Sequence, residues 1–500
     1  MIGQNYSKMV DVQSEFEERA GLIAPHGLGL SVDLYTPDLI ELDAALRRHG
    51  VAAGYYEVFQ ASLPALALVR ERLSGRRLAY HGEGLWVTQP DFCMAGEPGS
   101  SVQDVCLQLR TLQSAWLNIE CAAKQMAGYS FGTYLPPLYT EAGALVAADN
   151  AAMLQRRLDE DFSARGLRAP LVLLEMPPLT YFACGPLPIP EFFATIVGRT
   201  ACGLVLDIGH LWTVYRYTGA WRHCSLERYT AEFLAGFPLE QVIEIHVAGL
   251  APHPLDTDGK SEHGLPRWID AHGAPIPALL FDLLDQVLNT GRLVNLKAIA
   301  LEVDTKDIPL ILSEYQAFRS RFQPATASLA FGCPSDRPMC ATESGDVATY
   351  PLFASQEQRT ALGRDYARYA GIVTGHEAAD AWCPMAESED QAEGLTYYRQ
   401  VYLPHEILHW GGDVRDMFPR TYGLMEQRNV DVRDFAAFWF RRPRFGSIPY
   451  DFFLLKIECF AEFIAVVTPD AIAVVSTEAD ELRAAYEAAN RQAGFEEIAT

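Results

Sequence analysis

Residues that can bind metal ions recur along the first three hundred positions of this sequence, each near the end of a short apolar run. Carboxylates and neutral imidazoles suit iron, manganese and zinc, and no thiolate is positioned to impose a tetrahedral sulfur site. So many candidates exceed the needs of one ion, and carboxylates can bridge, so they predict two or three metal ions close together. The candidate ligands are His81, Glu120, Glu175, Asp207, His210, His246, Asp270, His272 and Glu302.

Any one of these residues has an ordinary alternative as a helix cap or a hydrogen-bonded buried group. Together they favour a metal site, because burying several carboxylates and imidazoles in one cavity is costly unless a cation compensates. Glu57 could orient a ligand histidine or form a salt bridge with Arg or Lys, and both alternatives stay open. Glu57, Glu120 and His210 are also the candidates for catalytic roles.

Eight short apolar runs alternate with amphipathic stretches over residues 1–322, a pattern typical of parallel βαβ units. Eight repeats over this length predict a (β/α)₈ TIM barrel, whose strand ends converge on one catalytic face. Seven of the candidate ligands fall at those ends, and Asp270 and His272 lie in the loop after the seventh strand, so we expect all nine to meet there. The predicted strands are Leu28–Leu34, Ala52–Gln60, Arg77–Leu85, Trp116–Ala122, Pro170–Pro177, Cys202–His210, Gln241–Gly249 and Ala298–Asp304.

The rest of the chain predicts lids, a linker and a second domain. The connections Ala123–Leu145 and Leu250–Pro275 are long and follow strands, which is typical of functional loops on the catalytic face. Residues 323–346 are rich in Pro, Ser, Thr, Gly and Ala and are interpreted as a linker. Residues 347–500 lack the strand and helix alternation, so we expect a smaller, mostly helical α or α+β domain.

The charge and the cysteines limit the possible partners and compartment. The formal net charge of −24 makes nucleic acid and anionic membranes poor partners. The ten cysteines form no Cys-x-x-Cys pair, and neither a signal peptide nor a membrane-spanning run is recognisable. These observations indicate a cytoplasmic protein with reduced thiols.

A second motif lies outside the predicted barrel. His405, Glu406 and His409 have the His-Glu-x-x-His spacing of zinc peptidases, with Glu458 or Glu462 as a third ligand. Gly411-Gly412 would end such a helix within a turn, so a structural histidine pair is the alternative. His49, His223, His253 and His376 have no position at a strand end and are treated as ordinary.

The barrel resembles the multinuclear iron enzymes typified by MbnB and TglH over roughly residues 25–320. The resemblance depends on ordered segments, namely Gly27–Leu30, Tyr56–Val58, His81-Gly82, Leu135–Ala142, Leu174-Glu175, Gly203–Asp207, Glu244–Gly249, Asp270–Gly273 and Leu301–Asp304. Three positions depart from the family pattern: Glu120 and His210 replace a His and an Asn, and Met176 replaces an Asn. The family ligands correspond to His81, Glu175, Asp207, His246, Asp270, His272 and Glu302.

The resemblance implies a mixed-valence cluster of two or three iron ions that uses dioxygen to oxidise a cysteine in a ribosomally made precursor peptide. A small partner protein generally presents that peptide in the family. Residues 347–500 are similar to such partners at Phe418–Met425 and Phe435–Phe440, which implies a partner fused in cis. The aromatic residues of these segments could line a peptide cleft or form the core of the domain.

Two rival functions belong to other classes. A divalent-metal isomerase or hydrolase of the xylose-isomerase-like type, suggested by Leu206–His210, would need no dioxygen. A noncatalytic peptide-binding scaffold would hold its metals structurally, which so many ligands at one barrel mouth argue against.

Overall fold

The computed structural model describes residues 12–59, 61–92, 99–256, 265–328, 352–378, 389–445 and 451–495. Eight parallel strands close into a barrel in the order β1-β2-β3-β4-β7-β8-β9-β12, which confirms the predicted (β/α)₈ fold. The strands are β1 (Gly27–Val32), β2 (Tyr55–Phe59), β3 (Arg77–Gly82), β4 (Trp116–Glu120), β5 (Ala123–Met126), β6 (Tyr129–Leu135), β7 (Leu171–Glu175), β8 (Gly203–Asp207), β9 (Val242–Val247), β10 (Leu250–Pro252), β11 (Trp268–Asp270) and β12 (Ala298–Glu302).

Helices follow the barrel strands and cover the outside. The last of them continues to Ser328, six residues into the predicted linker, and it runs through Pro324. The helices are α1 (Val12–Gly21), α2 (Leu39–Arg48), α3 (Leu63–Arg72), α4 (Gly99–Leu112), α5 (Glu141–Ser163), α6 (Ile189–Val197), α7 (Ile208–Tyr217), α8 (Leu226–Gly236), α9 (Ala278–Leu288) and α10 (Ile308–Ser328). The remainder of the predicted linker, residues 329–346, lies outside the described residues.

The strand alternation divides the barrel interior into an apolar floor and a polar mouth. Inward-facing residues repeat every second position along a strand. In β7 this places Leu171 and Leu173 in the floor and Glu175 at the mouth, and in β8 it places Val205 below Asp207. The floor also contains Tyr55, Ala79, Trp116, Ile243 and Ala300, and α1 packs against it through Phe16 and Ala20.

Both long connections contain two-stranded hairpins. β5 pairs with β6 through a tight turn at Ala127 and Gly128, whose positive φ angles of 50° and 80° suit a two-residue hairpin turn. β10 pairs with β11, so that Leu250 lies opposite Asp270. Paired strands therefore lie at the mouth within both connections that the sequence predicts to be long functional loops. Residues 257–264 of the second connection lie outside the described residues.

Among the described residues, the C-terminal part is helical. Its helices are α11 (Gln356–Thr374), α12 (Glu389–Tyr397), α13 (Leu403–His409), α14 (Val414–Met417), α15 (Pro419–Gln427), α16 (Asp434–Trp439), α17 (Phe452–Val467) and α18 (Ile472–Phe495). Phe418, Phe435 and Trp439 are buried and form core, whereas Tyr422 and Phe438 of the same segments are partly exposed. Within the described ranges, no helix is long and apolar enough to cross a membrane.

The C-terminal helices pack against the mouth end of the barrel. Trp439 donates its indole N–H to the Ser130 carbonyl of β6 at 2.7 Å. Gln391 of α12 accepts from the Ala183 N–H at 2.8 Å, in the connection that follows β7. Arg359 of α11 forms a buried ion pair with Asp149 of α5 at 2.7 Å. The mouth is therefore bordered by both parts of the chain.

Candidate metal centre

The structure brings all nine candidate ligands to the barrel mouth. Most lie at or next to the last residue of a strand, toward which the inward-facing positions become polar. His210 instead lies in the first turn of α7, where its backbone N–H donates to the Asp207 carboxylate at 2.6 Å. The strand-end residues are His81 of β3, Glu120 of β4, Glu175 of β7, Asp207 of β8, His246 of β9, Asp270 of β11 and Glu302 of β12, with His272 just after β11.

Glu175 is at the centre of one half of the site. Its Oε2 lies 3.3 Å from His81 Nε2, and its Oε1 lies 3.2 Å from His246 Nδ1. His246 Nδ1 also lies 3.1 Å from Glu302 Oε1. One carboxylate thus contacts two imidazoles on opposite sides.

The other half of the site surrounds His210 and His272. His210 Nε2 lies 3.8 Å from Asp207 Oδ1 and 3.6 Å from Asp270 Oδ2. His272 Nε2 lies 3.0 Å from Asp270 Oδ2 and 3.1 Å from Glu302 Oε2. The β10–β11 hairpin brings Asp270 and His272 into the site at the barrel mouth.

Three compact donor sets made only of candidate ligands overlap in this cluster, and a fourth set, Glu57–Glu244–His246, shares His246 with one of them. In each set the donor atoms lie within 4.8 Å of one another, as required of ligands that share an ion. Glu175 belongs to the first two sets and Asp207 to the last two, so each could contribute to two neighbouring sites. The sets are His81–Glu120–Glu175, Glu175–Asp207–His246 and Asp207–His210–Glu302.

The electrostatics of the mouth fit a bound cation. Among the described residues, the ion-pair partners of these carboxylates are histidines alone. Buried Glu120 Oε1, Asp207 Oδ2 and Asp270 Oδ1 have no hydrogen-bond partner there. Burial raises the pKa of Glu120 to about 8 and that of Asp207 to about 7. So many buried carboxylates without a Lys or Arg partner are costly, and metal ions would supply positive charge in place of protons on the histidines.

The histidines of the site favour the protonated form. Burial alone would raise the pKa of Glu175, but His246 and His81 overcome that effect and hold its pKa well below the usual range. Burial lowers the pKa of His81, yet the contact with Glu175 outweighs it and raises the value to about 9. Without metal, the histidines therefore carry the protons that ions would displace.

Neighbouring polar side chains orient the candidate ligands. Glu57 Oε2 lies 2.9 Å from His246 Nε2 and accepts from Ser31 Oγ at 3.2 Å, so the structure supports the orienting alternative. Asn118 donates to Glu175 Oε2 at 2.7 Å. Asp304 Oδ2 lies 3.3 Å from His272 Nδ1.

Sequence reasoning gave no role to Asn118 and Glu244, although both share the inward register. Glu244 Oε1 lies 3.6 Å from His246 Nε2 and accepts from the Tyr55 hydroxyl. Each precedes a candidate ligand by two residues, Asn118 before Glu120 and Glu244 before His246. The period of two along a strand could have identified them.

The His-Glu-x-x-His motif does not form its predicted set. Its helix α13 ends at His409, just before Gly411-Gly412. His409 Nδ1 contacts Asp413 Oδ2 at 2.7 Å, and Glu462 pairs with Arg444 at 3.3 Å. Among the described residues, neither His409 nor Glu462 belongs to a group of three candidate ligands.

Two solved structures are similar to part of this chain. Endonuclease IV from Thermus thermophilus is 16% identical with a TM-score of 0.34, and the match covers 60% of this chain and 98% of that one. The IolI protein crystallised with a zinc atom is 13% identical with a TM-score of 0.35, at 60% and 98% coverage.

Sequence relatives and a family profile identify the chain more closely. A UPF0276 protein of Bordetella pertussis is 30% identical over 280 residues, which are 55% of this chain and 86% of the relative. A UPF0276 protein of Caulobacter vibrioides is 27% identical over 209 residues, or 41% and 64% of the two chains. The profile of the RiPP precursor modification enzymes MbnB/TglH/ChrH, which act on ribosomally made peptides, matches residues 77–320. This chain belongs to the MbnB/TglH/ChrH family.

Proposed function

We propose that this protein uses two or three iron ions, of mixed valence, and dioxygen to oxidise a cysteine of a ribosomally synthesised precursor peptide. The observation that carries the proposal is the chain of three overlapping donor sets joined by Glu175 and Asp207. One isolated ion would need a single set, whereas shared carboxylates suit neighbouring ions. Family membership supports a peptide as the substrate.

All nine candidate ligands would hold the ions: seven belong to the three donor sets, and Asp270 and His272 lie beside them, in contact with His210 and Glu302. Their nitrogen and oxygen donors suit iron. When bound, the ions would supply redox chemistry and open positions for a thiolate and for dioxygen. The protein would bind and orient the reactants and exclude water. Glu57, Glu120 and His210 remain the residues that we propose for catalytic roles, since each is buried at the mouth.

The C-terminal part is proposed to act as a partner subunit fused in cis that presents the peptide. Its helices contact both hairpins and the connection after β7, which all surround the mouth. A peptide bound there would remain close to the site at high effective concentration. A cytoplasmic location completes the proposal, supported by the free thiols of the six cysteines in the described part of the chain.

The test uses the full chain, loaded anaerobically with Fe(II), and a cysteine-containing peptide encoded beside its gene. The matched control is the same peptide with Cys replaced by Ser. We expect two or three iron ions per chain, a visible charge-transfer band when the Cys peptide is added, and oxygen consumption with that peptide only. A chain that binds metal but turns over a substrate without oxygen would instead be the metal-dependent isomerase or hydrolase.

A further inference from the structure

A second group of metal-binding side chains joins the barrel to the C-terminal helices. His253 directly follows β10, and His405 and Glu406 lie in α13. His253 is 2% exposed, and the side chains of His405 and Glu406 are 19% and 16% exposed. His253 and His405, 152 positions apart, thus meet at a partly buried point.

The spacing of the three donor atoms suits one small divalent ion. His253 Nε2 lies 3.2 Å from His405 Nδ1 and 3.6 Å from Glu406 Oε1, and the last two atoms lie 3.0 Å apart. Nitrogen and oxygen ligands bind zinc tetrahedrally at about 2.0–2.1 Å, which separates ligand atoms by about 3.3 Å. The triangle therefore needs almost no adjustment to surround an ion.

The charges of the group also favour a cation. Within 4.0 Å, the ion-pair partners of Glu406 among the described residues are His253 and His405. One contact opposes binding: the Leu255 N–H points at His253 Nδ1 at 3.3 Å. A histidine bound through Nε2 carries its proton on Nδ1, so this long hydrogen bond would have to open.

We propose that His253, His405 and Glu406 bind one zinc-class divalent ion that clips α13 to the β10–β11 hairpin. The opposite strand of that hairpin carries Asp270 of the barrel mouth. The ion would thus fix the position of the hairpin relative to the C-terminal helices. Three protein ligands leave a fourth position for water, and His405 lines a cavity of about 380 Å³ that gives access to the group. This site does not depend on the chemistry proposed for the barrel.

The proposed site includes His405 and Glu406 of the His-Glu-x-x-His motif but not His409, so the test can distinguish the site from the motif. The purified full chain, its His253→Gln and Glu406→Gln variants and a His409→Ala control are dialysed against Zn²⁺, and bound zinc is counted per chain. His409 is the matched control because its ring packs on that of His405 at a centroid distance of 4.2 Å, while its Nδ1 contacts Asp413 and neither His253 nor Glu406. We expect the His253 and Glu406 variants to bind one zinc fewer than the wild type, while the control binds the full number.

Melting temperature with and without Zn²⁺ provides the second measurement, since an ion that binds the folded chain raises it. The wild type and the control should show a larger zinc-induced rise than either Gln variant. Circular dichroism confirms that each variant is folded, and if one fails to fold, the other carries the test. Full zinc occupancy in a folded Gln variant would overturn the site, and so would an equal loss of bound zinc in the His409→Ala control. The three side chains would then be only a hydrogen-bonded triad.

Discussion

Replacing Glu175 by Ala should remove two of the three metal positions in the barrel. Glu175 belongs to two of the three overlapping donor sets, whereas Glu120 belongs to one. The Glu175→Ala variant should therefore fall from as many as three iron ions per chain to one, and Glu120→Ala from three to two. The ion that persists in Glu175→Ala would occupy the set Asp207–His210–Glu302.

The assay counts iron by mass spectrometry after anaerobic loading and desalting, with circular dichroism to verify the fold. Asn118→Ala is the control, because Asn118 donates to Glu175 but belongs to none of the donor sets. Loss of such an orienting group typically weakens metal affinity about 10–100-fold, or about 1.4–2.7 kcal/mol, and should leave the number of ions at saturation unchanged. If Glu175→Ala holds as much iron as Glu120→Ala, the shared role of Glu175 is wrong.

Three further predictions concern the C-terminal part. Asp149→Ala should lower the free energy of unfolding in urea by about 3–5 kcal/mol, because it leaves buried Arg359 without its partner and removes the acceptor of the Phe353 and Ala354 N–H groups. The Asp149→Leu/Arg359→Met double variant should recover only the part due to Arg359, and an unchanged midpoint in Asp149→Ala would contradict the prediction. Gly394→Ala should lower the free energy of unfolding by about 1–3 kcal/mol, because the added Cβ would lie 1.9 Å from the Tyr181 carbonyl oxygen. The control Gly423→Ala, in an open part of α15, should be neutral or stabilising. Burial lowers the pKa of Lys456 from 10.5 to about 7. Between these pH values the unfolded chain binds more protons than the folded chain, so the free energy of unfolding should rise with pH. The Lys456→Met variant should lack that part of the rise.

The barrel was predictable because its signals are local. Each strand is a short apolar run, and each inward polar residue interrupts the run at its end, as in Leu171–Glu175 and Gly203–Asp207. Parallel strands then bring those ends together whatever the loops do. The positions of the candidate ligands could therefore be inferred strand by strand, before any contact between them was known.

The two hairpins and the contact between His253 and α13 were not predictable, because they depend on contacts between distant segments. The sequences around β5 and β10 contain Gly and Pro, which are typical of loops, and their pairing shows only in the fold. His253 has no strand-end position, so nothing local indicates that it meets His405. The His-Glu-x-x-His spacing pointed to the right helix but to the wrong third partner, since spacing describes one helix and not the surface it contacts.

Backbone strain at Tyr181 indicates that the C-terminal helices help to define the mouth. Tyr181 has a φ of 72°, which a bulky residue adopts only when its surroundings hold it there. Its ring packs against Tyr217 of α7 and against Tyr397 and Tyr402, at centroid distances of 5.4, 4.8 and 5.7 Å. Two of these three rings come from the C-terminal part. That part therefore stabilises the connection that follows Glu175, and the proposed peptide-presenting region and the metal centre share one packed structure.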